Sequence, residues 1–306
     1  MNKIVKGLFL AMMFASMCAC SSDDALPQTA QVETSLVRFS FFDASLEKFN
    51  ESTRVMETRA ANTWKEYFSR LDIAIFPADD SKNDSVYRVH QLRGKEDFGN
   101  LSLRLPIGKY SLVAVASKAT SEVDIASSVL ATFPGDSPTD MAYVSQGLEV
   151  KSGATTANCV LKRSLTKFVL ASSDSLNMDV AKAEITYTGK YSKAFNPSTG
   201  YGINGDVDET KTKSVVFTEK DRTNKKNVSI TFYAFIPEET SQVQVDVKVY
   251  DVSGNVMREL HFDSVVLQQN HITTYRGPLF TSGSTLEFTF DDKDFEKSDY
   301  DTVFGD

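Results

Sequence analysis

The chain has 306 residues, 41% hydrophobic and 24% charged, with a formal net charge of −8. This is an ordinary globular composition, long enough for about two domains of roughly 150 residues each. With a mean hydropathy of −0.25, it excludes a disordered chain and a polytopic membrane protein. The acidic balance excludes non-specific nucleic-acid binding, which needs a basic surface, and a polybasic grip on anionic lipid.

The first element is a leader. Lys3 and Lys6 precede an apolar run from Gly7 to Met17, which is shorter than the ~20 residues that cross a hydrocarbon core and suits the h-region of a secretory signal. A small residue directly before a cysteine is the pattern of a bacterial lipobox. Ala19 precedes Cys20, whereas bulky Met17 precedes Cys18. The reading is a signal peptide over 1–19 and a mature chain that starts at lipidated Cys20. Its thiol would carry diacylglycerol and its amine a further acyl chain such as palmitate, giving the multi-chain anchoring that one chain cannot. Ser21-Ser22-Asp23-Asp24 follows. It resembles the surface-export signal of Bacteroidetes lipoproteins and reads equally as a plain solvated tether within 20–33.

From Leu36 onward the pattern is strand-like. Leu36–Phe42 is β-branched and aromatic and reads as an apolar edge-type strand. Residues 71–76 alternate, with Leu71, Ile73 and Ile75 on one face. Residues 101–105 alternate too, Pro106–Gly108 turns into the strand-like 110–116, and 228–235, 243–249 and 286–290 follow the same period of two. Asp251–Asn255 is the turn of a hairpin. Short helical turns are predicted at Asn62–Phe68 and Asp124–Leu130. No fixed-period repeat is visible. Many short strands with turns between them predict an all-β chain made of sandwiches. The apolar run Ala157–Ala171 is long for one strand, so the boundary is placed near Arg163. The predicted sandwiches span 34–163 and 164–290, followed by an acidic, aromatic tail over 291–306.

Gly200-Tyr-Gly202-Ile-Asn-Gly205 matches the dinucleotide G-x-G-x-x-G string, but that chemistry needs a strand before it and a helix N-terminus after it. Asn196-Pro197 and Asp206-Val-Asp208 flank it instead, so a loop is expected. Asn204, Asp206 and Asp208 have the spacing of the first calcium ligands, yet Glu209 and Val215 stand where an EF-hand needs Gly and Glu. Gly135-Asp136-Ser137 resembles a protease-serine fragment without a histidine near it in sequence. His90, His261 and His271 are widely separated and read as structural. Trp64 reads as a core residue and Cys159, the one thiol beyond Cys18 and Cys20, as a buried small hydrophobe. No internal disulfide, thiolate zinc site or cofactor is expected. Asp84-Ser85-Val86, Asp174-Ser175-Leu176, Asp263-Ser264-Val265 and Asp301-Thr302-Val303 resemble the O-glycosylation sequon of Bacteroidetes envelope proteins, a triplet that chance also supplies.

The Ala19-Cys20 lipobox, the segments Leu105–Ala116 and Leu161–Val169, and Val266–Gly277 together resemble the Bacteroidales fimbrillins. The best fit is the anchor-type branch of the minor (Mfa-type) and major (Fim-type) fimbriae, over essentially the whole mature chain. The resemblance implies two tandem transthyretin-like β-sandwich domains behind the leader and tether. It implies export as a lipoprotein to the outer membrane and cell surface, cleavage behind an arginine that removes the first strand, and assembly by strand exchange. Arg59 and Arg54 follow the first strand as possible cleavage sites. Leu286–Phe290 with the aromatic tail to Phe304 is a possible donor segment. The expected function is a structural and adhesive subunit of a fimbria, not an enzyme, either membrane anchor or minor subunit. Expected partners are other fimbrial subunits, the outer membrane through the lipid on Cys20, and surface ligands of host or bacterium, with no nucleic acid. The alternative is a surface glycan-binding lipoprotein, which usually shows clustered tryptophan; this chain has one.

Overall fold

The computed structural model describes residues 32–43, 64–79, 87–203, 207–224, 227–281 and the backbone of 289–294. The first part runs β1 (Thr34–Asp43), α1 (Trp64–Tyr67), β2 (Arg70–Pro77), β3 (Tyr87–Leu92), β4 (Asn100–Pro106), β5 (Gly108–Ser117), β6 (Asp124–Ser127), β7 (Leu130–Thr132), β8 (Met141–Val150) and β9 (Thr155–Leu161). The second runs β10 (Thr166–Ser172), β11 (Val180–Gly189), β12 (Ala194–Phe195), β13 (Glu209–Val216), α2 (Glu219–Thr223), β14 (Ser229–Ala234), β15 (Thr240–Asp251), β16 (Val256–Gln268), β17 (His271–Gly277) and β18 (Thr289–Asp294). The fold is all-β.

The strands form five sheets, ordered β4-β1-β9, β3-β2-β5-β8, β14-β10-β17-β18, β13-β11-β15-β16 and β12-β7-β6. The first two face each other across one apolar core that includes Phe39, Leu71, Leu112 and Cys159. The next two enclose another, which includes Phe168, Tyr187, Phe232 and Val245. A third core joins Ala74, Phe76, Val113 and Val115 from β2 and β5 to Ile125, Phe133, Phe195 and Phe235. In β2 and β5 alternate residues therefore serve different cores, and both faces are buried. From Glu33 on, the described chain is one compact unit.

Strand order reveals a repeat that the residues hide. In the first half, β1 lies between β4 (antiparallel) and β9 (parallel). In the second, β10 lies between β14 (antiparallel) and β17 (parallel). Likewise β2 sits between β3 and β5, with β8 beyond, and β11 between β13 and β15, with β16 beyond. Seven strands are thus paired in the same way twice. The hairpin β6–β7, together with β12, is added between the halves.

Three expectations are corrected. Asp124–Leu130 is not helical; it forms most of the β6–β7 hairpin, because Ile125 pairs with Ala131 and both are buried in the third core. Leu36–Phe42 is not an edge strand, because parallel pairing with β9 makes β1 the central strand of its sheet. The strand expected over 286–290 begins at Thr289 and runs on to Asp294, where it pairs with β17 of its own sheet; residues 286–288 and 295–306 lie outside the described residues. Between β9 and β10, Arg163 pairs with Asp140 at 2.9 Å, both side chains buried.

Asp174 ties the exit of β10 to the chain after β17. Its carboxylate accepts the backbone N–H groups of Leu279, Phe280 and Thr281 at 2.7, 2.8 and 2.7 Å, and the Thr281 hydroxyl at 2.9 Å. Hydrogen bonds to a charged acceptor are worth about 1.5–3 kcal/mol each, less where partly solvated. Asp174→Ala should therefore lower unfolding stability by about 2–4 kcal/mol in urea, and Asp174→Asn by less. A loss of under about 1 kcal/mol in the alanine variant contradicts this role.

Candidate functional site

The sequence singles out β1, and the structure gives it an unusual position. Its seven residues Thr34–Ser40 pair antiparallel with β4, while Val37–Asp43 pair in parallel with β9. Alternation along the strand sends Val37, Phe39 and Phe41 into the first core, each at most 4% exposed. Leu36, Ser40 and Phe42 are half-buried on the other face and Arg38 is exposed. The Ser35 hydroxyl donates to the carbonyl of Gly153, in the turn before β9.

The far end of β1 is held by α1. Trp64 is 1% exposed. Its indole N–H donates to the Phe41 carbonyl at 3.2 Å, and its ring meets Phe41 edge-on at 6.2 Å. Gly99 has φ of 74° and lies against the indole, where a Cβ would come within 2.9 Å of Trp64; this close approach needs glycine. The tryptophan is thus a clamp on the end of β1. Cys20, Arg54 and Arg59 lie outside the described residues. Arg54 and Arg59 fall between Asp43 and Trp64 in sequence, so a cut at either separates β1 from the clamp that holds it.

The other candidates resolve individually. Gly200, with φ of 85°, and Gly202 are packing glycines: a Cβ would come within 2.5 Å of the Tyr143 hydroxyl at Gly200 and 2.8 Å of the Phe235 carbonyl at Gly202. Gly205, Asn204 and Asp206 lie outside the described residues, as do Asp84-Ser85-Val86 and Asp301-Thr302-Val303; Asp208 is exposed. Cys159 is buried and burial pushes its thiol up to about 12, so little thiolate forms at neutral pH. His90 bonds Asp72 at 2.9 Å and Glu122 at 3.1 Å, and His271 contacts the Gln269 carbonyl at 2.9 Å. Ser137 stands in the loop between β7 and β8. Among the described residues, no group of three or more His, Cys, Asp or Glu could hold a metal ion.

Sequence reasoning missed the clasp around His261, on the solvent face of β16. One ring nitrogen contacts Asp246 on β15, and the other contacts Asp263 at 2.6 Å. The hydrogen bond to Asp246, then that to Asp263, raises the imidazole above its ordinary 6.5. A raised folded-state value contributes stability that is full below the unfolded value and is lost as pH rises through the folded one. The His261 ring protons should titrate with a midpoint above 6.5 in an NMR pH series, and Asp246→Asn should lower it. A midpoint at or below 6.5 in the wild-type chain contradicts the clasp.

The model of a family of unknown function (DUF6562) matches residues 29–304. The chain belongs to this family. The DUF6562 match takes in every described strand of both halves. No curated protein matches the sequence. Solved structures are similar at low identity. A candidate adhesin of Bacteroides ovatus is 14% identical over 81% of this chain and 88% of that one, with a TM-score of 0.48. A candidate polysaccharide-binding protein of Bacteroides thetaiotaomicron is 9% identical over 86% and 99%, with a TM-score of 0.49. The fimbrial anchor protein Mfa2 of Porphyromonas gingivalis is 11% identical over 86% and 98%, with a TM-score of 0.44.

Proposed function

We propose that this DUF6562 chain is a structural and adhesive subunit of a surface fimbria, held in the outer membrane through lipid on Cys20 and joined to other subunits by strand exchange. In this reading 34–163 and 164–290 are tandem transthyretin-like domains, with the second extended by the first four residues of the tail. The observation that carries the proposal is the position of β1. It is the first described strand, it is central in its sheet, and the stretch that follows it contains Arg54 and Arg59. Removing a central strand leaves two facing rows of unpaired backbone groups on β4 and β9, together with the vacated places of Val37, Phe39 and Phe41. An extended segment from another subunit fits such a gap: the ladders supply affinity, and alternate side chains supply specificity. An unfilled gap is an aggregation hazard.

Of membrane anchor and minor subunit, anchor fits better. The described part of the C-terminal segment is already paired with β17 of its own sheet, which supports a subunit that ends a fibre rather than one that donates onward. The glycan-binding alternative finds no exposed tryptophan platform, because Trp64 is buried beneath β1.

The test is metabolic acyl labelling of the wild-type chain and of Cys20→Ala, with fractionation of fibres sheared from the cell surface. The wild-type chain should carry label and partition with outer membrane and fibres. Cys20→Ala should be unlabelled and released from the membrane. An unlabelled wild-type chain, or one recovered only as a free monomer, overturns the proposal.

A further inference from the structure

A polar groove lies at the mouth of the second core and reaches α1 at Glu66 and Tyr67. There the edge strands β13 and β14 face the loop between β7 and β8. Two hollows, of about 560 and about 1050 Å³, share Asp136, Ser137, Lys211, Thr212 and Tyr233 in their walls and so form one continuous groove. That is ample space for a ligand larger than a single sugar ring.

Its chemistry is unfinished in three places. Tyr187 is 0% exposed, and its ring stacks on Phe232 at 4.1 Å, beside the groove. Among the described residues its hydroxyl has no hydrogen-bond partner, and neither does the buried Thr139 hydroxyl on the opposite wall. Buried polar groups are nearly always paired, so two orphaned hydroxyls bordering one groove point to a polar guest. The third place is a pair of lysines on β13, Lys211 half-buried and Lys213 exposed at the rim. Register puts Lys211 opposite Tyr187 and Lys213 opposite Ile185, on the face that carries the core. Lys213 donates to the Thr231 carbonyl at 3.1 Å, and among the described residues it has no carboxylate partner. Burial lowers the affinity of both amines for their protons; Asp136 offsets this for Lys211, and Lys193 opposes that offset. Arg93 and Lys118 line the wider hollow. Arg93, Lys118, Lys193, Lys211 and Lys213 share the groove walls with the carboxylates of Glu66, Asp136, Asp140 and Glu209, and Asp140 is paired with Arg163, so cations lead locally on a chain of net charge −8.

An added β-strand is a poor fit. The Lys213 amine already occupies the Thr231 carbonyl that an incoming strand would need, and a charge on an edge strand discourages pairing. The remaining features, namely cations, hydroxyls and the Tyr233 ring, suit a guest with an acid group, several hydroxyls and flat apolar patches. We infer that the groove binds a carboxylated saccharide, with its carboxylate at Lys211 and Lys213 and its hydroxyls at Tyr187 and Thr139. The inference gives the adhesive role of the proposed function a ligand, but the site stands whether or not β1 is exchanged, and the two fail in different experiments.

The test is isothermal titration of the detergent-solubilised full chain with tetragalacturonate and with sialyllactose. Methyl-esterified tetragalacturonate and sodium sulfate serve as comparisons. At least one acidic sugar should bind about tenfold or more tightly than the methyl ester, a factor equivalent to about 1.4 kcal/mol. The double variant Lys211→Gln, Lys213→Gln should lose about tenfold or more in affinity while its thermal midpoint and circular dichroism stay as in wild type. Should that pair disturb the fold, Tyr187→Phe removes only the orphaned hydroxyl; it should weaken binding severalfold and leave stability equal or higher. The inference is overturned if neither acid binds at millimolar concentration, or if the ester binds as well as the acid. It is also overturned if sulfate binds as tightly as either sugar, or if both sets of substitutions leave affinity unchanged in a folded chain.

Discussion

Phe235→Ala is expected to lower stability by about 3–5 kcal/mol, the usual cost of truncating a buried phenylalanine, and to split one thermal transition into two. Phe235 is 0% exposed. Its ring stacks on Phe195 at 4.5 Å and meets Phe133 at 5.8 Å. All three belong to the third core, in which β2 and β5 of the first half meet β12 and the end of β14. A cavity there weakens the joint while leaving the other two cores intact. Differential scanning calorimetry checks this. A single transition shifted by less than 2 °C would mean that the third core does not couple the halves; a change of 1 kcal/mol moves the midpoint of a domain of this size by about 2–4 °C.

Removing β1 should have the larger effect. Burial of each large apolar side chain is worth about 1.5–3 kcal/mol, and β1 contributes Val37, Phe39 and Phe41 to the first core as well as two ladders of backbone hydrogen bonds. Total stability of a domain is about 5–15 kcal/mol, so a first half without β1 cannot remain natively packed. A chain of residues 60–306 should lose hydrogen-exchange protection in β4, β5 and β9, while β10, β11 and β15 keep theirs. Full protection of β4 and β9 in that chain would show that β1 is an ornament of the sheet and not its centre.

Much of the strand content was legible because it depends on local alternation. Leu71, Ile73 and Ile75 face one core as the pattern requires, and Val243, Val245, Val247 and Val249 do the same in the second half. What remained hidden was set by partners distant in sequence. Nothing within Leu36–Phe42 announces that β9, from the far end of the first half, pairs beside it. Nothing within Asp124–Leu130 shows that the strand completing its sheet, Ala194–Phe195, lies far downstream. The repeat was invisible because the halves share pairing order and not residues.

The sites were less legible still. Counting outward from the Tyr250–Val256 pair would put Asp246 opposite Leu260. The bulge after Val249 shifts the register by one and brings His261 across instead. A single extra residue thus decides whether Asp246 meets an aliphatic or an imidazole. Tyr187 alternates with Ile185 and Ala183 and reads as core; only the structure shows its hydroxyl without a partner. Cys20 is read from its motif, and Arg54 and Arg59 from what the family resemblance implies.

The most direct measurement of the account is replacement of the strand in trans. Residues 60–306 would be refolded with a synthetic peptide of residues 33–44 and, separately, with a scrambled version, and the products examined by native mass spectrometry and hydrogen exchange. The account predicts a complex of one peptide to one chain, with protection restored in β4 and β9 by the native peptide and not by the scrambled one. Failure of the native peptide to bind while the second half is folded, or equal restoration by the scrambled peptide, would contradict it.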